Sequence, residues 1–209
     1  MKLLELFSGQ GSISKAFKED GWEIFRVDWS DKVEAELHAD ISKLTVKDIV
    51  KLCRGVPDVI WASPDCTTYS IATHRHRTLK ERLKPKTEYA AQCDTTNISM
   101  WKLIDDLVKL GTKYYFVENP RGRMRHMDFT KNRKRYTTTY CAWGRTDNGK
   151  YTMKPTDIWT NHNSPSLLYC DKNHLHSDWS VDVKRDYLSR GTMPTTLCEH
   201  IAKICTEVK

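Results

Sequence analysis

Residues 3–17 read LLELFSGQGSISKAF. Leu3-Leu4-Glu5-Leu6-Phe7 has the apolar density of a buried strand, and Ser8-Gly9-Gln10-Gly11-Ser12 is a glycine-bearing turn that ends it. Apolar residues at Ile13, Ala16 and Phe17 then fall at helical spacing, and the helix closes at Gly21. Strand, glycine turn and helix in that order predict the first βα unit of an open α/β sheet.

The pattern recurs along the chain. Trp22 to Val27 reads as a second strand with Asp28 at its end, and helical spacing resumes around Val33 to Leu37 and again from Val46 to Cys53. Pro57-Asp58 introduces a strand, Val59-Ile60-Trp61-Ala62, that leads to Cys66. Apolar positions between Asn97 and Leu110 define one broad helical face, Gly111 stops it, and Tyr114 to Val117 runs into Glu118-Asn119-Pro120. The predicted fold is α/β, a mostly parallel sheet with helices on both faces. Gly9, Asp28, Cys66 and Glu118 each lie just past a strand end, so all four should share the rim where such sheets bind ligands.

Beyond residue 136 the pattern loosens. Tyr136 to Trp143 is β-like, residues 145–150 (RTDNGK) form a turn, residues 160–190 are polar and irregular, and a last helix runs from Thr195 to Val208. The expected organisation is a main α/β part at 1–140, a small irregular segment at 141–190, and a C-terminal helix at 191–209 that returns to the first part.

With 209 residues the chain is long enough for one compact core, and its formal charge of +7 favours a polyanionic partner, nucleic acid first. No stretch approaches the roughly 20 apolar residues that cross a bilayer, and the start does not read as a secretory signal, so a cytoplasmic protein without a membrane partner is expected. Seven cysteines without a framework pattern point to reduced thiols.

Taken in order, the rim motifs resemble those of the cytosine-5 DNA methyltransferase family, and the correspondence spans about residues 3–140. The resemblance implies a Rossmann-like fold that binds S-adenosylmethionine, with Phe7, Gly9 and Gly11 lining the pocket. Asp28 would take the ribose hydroxyls, Trp29 would pack on adenine, Asp40 and Ile41 would meet the adenine edge, and Pro64 would complete the pocket. PDVIWASPDCTTYS, residues 57–70, matches the nucleophile strand and loop, with Cys66 as nucleophile and Tyr69-Ser70 in the family's register. FVENP matches the motif that carries the catalytic Glu118 and Asn119, and Arg133 and Arg135 match the two arginines that hold the target base. RGTMPTTLCEHIAKI, residues 190–204, is faintly like the final family motif.

The implied activity is methyl transfer to carbon 5 of cytosine through a covalent Cys66 adduct at carbon 6. A thiolate suits that role because it adds readily and leaves again, and the carboxyl of Glu118, held by Asn119, would hydrogen-bond the ring. The partner is DNA that presents a flipped or single-stranded cytosine; RNA, a free nucleotide, or a non-catalytic binding role are the alternatives. Asp65 stands where the family has proline, Thr67 where it has glutamine and Pro120 where it has valine. A carboxylate at Asp65 raises the pKa of Cys66 unless it points away. Only about 50 residues stand where the family has its target-recognition domain, so the resemblance implies a catalytic and cofactor-binding domain at 1–140 and a reduced target-recognition or substrate-contact segment at 141–190.

Residues 73–86 follow the nucleophile loop and carry Arg75, Arg77, Lys80 and Arg82, which suggests a phosphate-binding lid; Arg121 and Arg123 add cations beyond Glu118. Cys170, His174 and His176 lie close together, with Cys141 and His162 as further candidates. Zinc held there would staple a segment too short for its own core, but the spacing fits no standard zinc pattern, so the preferred reading is solvated polar residues without a metal, with Cys170, His174 and His176 as weak zinc candidates.

Overall fold

A computed structural model describes residues 1–72, 74–78, 81–144, 151–176, 178–179 and 191–207. In chain order the strands are β1 (Lys2–Leu6), β2 (Glu23–Asp28), β3 (Leu37–His38), β4 (Val59–Ala62), β5 (Tyr114–Pro120), β6 (Arg135–Thr139), β7 (Thr152–Met153), β8 (Pro155–Thr160) and β9 (Asp178–Trp179). The main helices are α1 (Ser12–Glu19), α2 (Val46–Leu52), α3 (Glu88–Lys109) and α4 (Thr195–Thr206). Seven strands make one sheet in the order β3-β2-β1-β4-β5-β8-β6; β7 and β9 pair separately. The first five of that order are parallel, and β8 runs antiparallel between β5 and β6.

The unbroken apolar runs of the central strands follow from burial on both faces. Leu4, Leu6, Val27, Ile60 and Val117 point to one face and pack with Ile49 of α2 and Met100, Trp101, Ile104 and Leu107 of α3. Their neighbours Leu3, Val59, Trp61 and Phe116 point the other way, onto Ile13 and Phe17 of α1 and Leu197, Ile201 and Cys205 of α4. The molecule is a three-layer, Rossmann-like α/β/α fold, and its parallel strands all end on one rim.

Three expectations need correction. The helical spacing at Val33 to Leu37 is not a helix: the chain stays extended, with Ala39 N–H bonded to the Asp28 carbonyl at 2.9 Å and Arg26 gripping Glu34 at 3.0 Å and Glu36 at 2.7 Å. Helix α3 begins at Glu88, well before Asn97, because Thr87 caps it by accepting from Ala90 N–H at 3.2 Å. Its first turns bury only Ala90, Cys93 and Asn97, too little apolar surface to show in the sequence. Thirdly, part of the loose segment at 141–190 belongs to the main sheet. Pro155–Thr160 hides as a strand because Thr156, Asp157 and Thr160, all fully buried, are polar. The turn at residues 145–150 lies outside the described residues.

One buried acid sets a pH dependence. Glu5 on β1 accepts a hydrogen bond from the Ser14 hydroxyl, and burial raises its pKa from 4.5 to about 7. Between those values the folded chain holds a proton that the unfolded chain has released, so stability falls as pH rises. The loss should approach about 3 kcal/mol by pH 7–8. Glu5→Gln should flatten this slope in urea titrations at pH 5 and pH 8; an unchanged slope would show that Glu5 is not its source.

Candidate active site

The turn after β1 is unusually tight. Phe7, Gly9 and Gly11 have φ of 57°, 49° and 63°, so three of five residues are left-handed, a conformation that glycine alone adopts without strain. The turn is pinned to β2: Gly9 N–H donates to Asp28 Oδ2 at 3.1 Å, and Ser30 N–H donates to Asp28 Oδ1 at 2.9 Å. Beside it, Trp29 is 77% exposed, an indole face standing free of the core. Asp40 caps the short turn Ile41–Lys43 by accepting from Ser42 N–H at 2.9 Å, and Ile41 below it is buried. The buried Ser8 Oγ has no hydrogen-bond partner among the described residues. A carboxylate, a free aromatic face, a second carboxylate and an orphaned hydroxyl on one cradle fit a nucleoside ligand with polar substituents.

Cys66 starts the short 3-10 turn Thr67–Tyr69 beyond β4 and is the exposed cysteine of the seven. Asp65 points away from it: Oδ1 accepts from Thr67 N–H at 2.6 Å, and the other oxygen accepts from the Tyr89 hydroxyl of α3. The loop is anchored below. Tyr69 donates to Asp94 at 2.7 Å and accepts from Asn97 at 3.1 Å, while Arg77 forks onto Asp94 at 2.7 and 2.9 Å. The Arg77 guanidinium also lies 4.3 Å over the Tyr69 ring.

Glu118 and Asn119 stand at the end of β5, both buried. Asn119 Nδ2 donates to the Pro64 carbonyl at 2.9 Å, so it holds the nucleophile loop rather than the carboxyl, and its Oδ1 is buried without a partner among the described residues. The carboxyl is held instead by Tyr140, whose hydroxyl donates to Glu118 Oε1 at 3.3 Å. Lys154 reaches that hydroxyl at 3.5 Å and lies 4.5 Å over the Tyr140 ring. Burial pushes the Glu118 carboxyl above its usual range; Lys154 and Tyr140 pull it back, and Asp157 adds to the rise. Crowding at the rim likewise pushes the Cys66 thiol up although its surface stays exposed. Lys154 opposes that rise, while Glu118 and, by less, Asp65 add to it.

Next to Asn119 in the sheet is Asp157, fully buried on β8. It takes Arg125 through two bonds at 2.9 and 2.6 Å and the Thr137 hydroxyl at 2.8 Å, with Arg135 at 3.7 Å. Arg135 therefore lies beside the site, but its companion Arg133 does not. Arg133 forks onto Asp105 of α3 at 2.8 and 2.7 Å and stacks 3.9 Å over Trp101, a structural contact on the flank of the sheet.

The expected lid is also different in kind. Arg77 is fully buried in its ion pair, and Arg123 is buried with bonds to the Ser70 carbonyl and, at 2.8 Å, to His74 Nδ1. Both clamp the Cys66 loop through buried contacts. Arg75 and Arg121 remain on the surface; Lys80 and the side chain of Arg82 lie outside the described residues. Cys170 is not solvated but buried, and it gathers with Cys141, His174 and His176. The sequence assigns no role to Tyr140 or to the fork of Arg125 on Asp157; for Lys154 and Asp157 it offers only the polar and aromatic run KPTDIWTN, residues 154–161, as candidate lining of a substrate cleft.

No family model matches the chain. Over 204 residues it is 28% identical to a protein described as a probable DNA (cytosine-5)-methyltransferase of Frog virus 3 (isolate Goorha), covering 94% of this chain and 91% of that one. Among solved structures, the Entamoeba histolytica methyltransferase EhMeth superposes with a TM-score of 0.53 at 14% identity, over 85% of this chain and 57% of that one. A Spodoptera frugiperda DNMT2 mutant gives a TM-score of 0.46 at 21% identity, over 81% of this chain and 53% of that one. The chain thus spans little more than half of these two solved proteins, and the likeness to EhMeth is one of fold.

The electrostatics of Cys66 can be read directly, because it alone of the seven thiols is exposed. Its alkylation by iodoacetamide, followed by mass spectrometry, should have a pH midpoint above the ordinary thiol value of about 8.5. Lys154→Gln removes the cation that favours the thiolate, so the midpoint should move further up. A midpoint that stays or falls would exclude Lys154 as the stabilising charge.

Proposed function

We propose that the chain is a cytosine-5 methyltransferase, which transfers a methyl group from S-adenosylmethionine to carbon 5 of cytosine in DNA. The observation that carries this reading is the adjacency of Cys66 and Glu118 at the ends of neighbouring parallel strands, beside the cradle formed by Phe7, Gly9 and Asp28. DNA is favoured because the viral relative is described as acting on it and because the chain carries a net charge of +7.

The cradle residues fit the cofactor by their chemistry. Asp28 would accept from the ribose hydroxyls, Trp29 would cover the adenine, and Asp40 would accept from the adenine amino group, with Ile41 and Pro64 as apolar walls. Bound there, S-adenosylmethionine supplies an electrophilic methyl carbon. The protein's own groups prepare the base. Glu118, with its raised pKa, retains a proton more readily than an ordinary carboxyl and would donate it to the ring nitrogen N3. That withdraws electrons from carbon 6, where the Cys66 thiolate adds after its proton leaves through the exposed rim. The electron density gathered at carbon 5 would then be placed for the methyl group. Loss of the carbon 5 proton to solvent water would expel the thiolate, and return of the N3 proton to Glu118 would restore the neutral aromatic ring and the acid.

Tyr140 would keep the Glu118 carboxyl in register, and Lys154 would favour the thiolate over the thiol. The target must leave the stack to reach a buried carboxyl, so flipping or single-stranded substrate is required. With Arg77 and Arg123 turned inward, phosphate contacts fall to surface cations such as Arg75 and Arg121.

Labelled S-adenosylmethionine should transfer its methyl group to duplex or single-stranded DNA and not to RNA or dCTP. Transfer to RNA or dCTP alone would reassign the substrate, and no transfer to any of them would overturn the proposal. Cys66→Ser should abolish transfer with cofactor binding nearly unchanged, and Glu118→Gln should slow it by roughly a hundredfold or more. DNA containing 5-fluorocytosine, whose fluorine cannot leave as a proton does, should trap wild type but not Cys66→Ser in a covalent complex.

A further inference from the structure

Residues 161–176 form no helix or strand, yet Cys170 within them is buried. A polar, irregular segment needs something other than a hydrophobic core to hold one shape. Four side chains converge there. The ligand atoms of Cys141, Cys170, His174 and His176 all lie within 4.8 Å of one another. Cys170 Sγ is 3.9 Å from His174 Nε2 and 3.4 Å from His176 Nε2. A tetrahedral ion with bonds of about 2.3 Å to sulfur and about 2.0–2.1 Å to nitrogen puts unlike ligand atoms roughly 3.5 Å apart. The two observed separations bracket that value.

The surroundings also suit coordinated ligands. Lys172 N–H donates to Cys170 Sγ at 3.3 Å, the kind of bond that stabilises a thiolate, and Lys172 takes a left-handed φ of 65° to make it. Cys170 N–H donates to Thr139 Oγ1 at 2.7 Å, fixing the turn to the end of β6. Both histidines present Nε2 to Cys170, and the His174 ring is held by stacking on Tyr151 at 4.5 Å.

We infer that Cys141, Cys170, His174 and His176 form a four-coordinate zinc site that staples the segment after β6 to the sheet. Two soft sulfurs and two imidazoles in tetrahedral array select zinc over hard cations, and four protein ligands leave no open position, as in a structural site. Binding converts two thiols and one Zn²⁺ into a neutral dithiolate site and releases two protons to solvent, both imidazoles entering as neutral ligands. The staple has a route to the active site. Cys141 directly follows Tyr140, which holds Glu118, and its Sγ lies 3.6 Å from the Met153 sulfur, one residue before Lys154. The inference does not depend on the methyl-transfer reading, since metal content is measured without turnover.

The test is elemental analysis of the full chain, purified under reducing conditions without chelator and with any affinity tag removed. About one zinc per chain is expected, retained by His38→Gln as a control histidine change and lost in Cys170→Ser and His176→Ala. His176→Cys, which restores a ligand, should keep the metal, which separates loss of coordination from failure to fold. Exchange for Co²⁺ should give the intense visible bands of a four-coordinate ion and a near-ultraviolet sulfur-to-cobalt band, weaker in Cys141→Ser. Metal-free wild-type protein that takes up neither Zn²⁺ nor Co²⁺, or zinc retained by both Cys170→Ser and His176→Ala, would overturn the site.

Discussion

Parallel pairing of β4 with β5 is the constraint on which the chemistry rests. It sets Ala62 opposite Val117, so the chain beyond each strand emerges on the same edge. Cys66 follows one strand by a short turn and Glu118 continues the other, and neither could be moved independently of the sheet. The bond from Asn119 to the Pro64 carbonyl then closes the gap between the two loops. Side chains on strand ends and anchored turns keep their geometry better than side chains on long loops, which is what the proposed addition would demand.

A second layer of order comes from buried charge. Arg77 with Asp94 and Arg125 with Asp157 are ion pairs whose buried partner would be left uncompensated by loss of the other, a change that costs about 3–5 kcal/mol in general. Each pair locks one side of the site: the first fixes Tyr69 under the nucleophile turn, and the second fixes β8 beside Asn119. Such pairs give conformational definition rather than net stability. The site is rigid from below and open at the rim.

The sheet was legible because burial on both faces leaves continuous apolar runs, as in β1, β4 and β5. The rim residues were legible because each directly follows such a run. Strand β8 was not, since the buried Thr156, Asp157 and Thr160 interrupt its apolar pair Ile158-Trp159, and the partners of Asp157 lie far apart in sequence. For the same reason Arg77 and Arg123 looked like cations for phosphate, and Arg133 like a cation that holds the target base. A sequence shows the charge but not the carboxylate or carbonyl that folding brings to it, and helix α3 supplies Asp94 to Arg77 and Asp105 to Arg133. Asp65 is the converse case: an alarming charge beside Cys66 becomes a turn cap once Thr67 N–H and the Tyr89 hydroxyl are in place.

The segment after β6 bears on catalysis in a way that the rim motifs alone do not suggest. Glu118 is perturbed by burial, but its hydrogen-bond partner Tyr140 and the cation Lys154 both come from this segment. The same lysine acts on Cys66, so one ammonium group favours ionisation of the nucleophile and of the acid together. These demands oppose each other: a cation that helps form the thiolate also weakens the hold of Glu118 on its proton. Burial of Glu118 offsets the second effect, because it acts more strongly than Lys154 and in the other direction. Lys154 is also shared with Tyr140, so one cation links the Cys66 thiol, the Glu118 carboxyl and the tyrosine that holds it. The positions of Tyr140 and Lys154 therefore bear on Cys66 and Glu118 together.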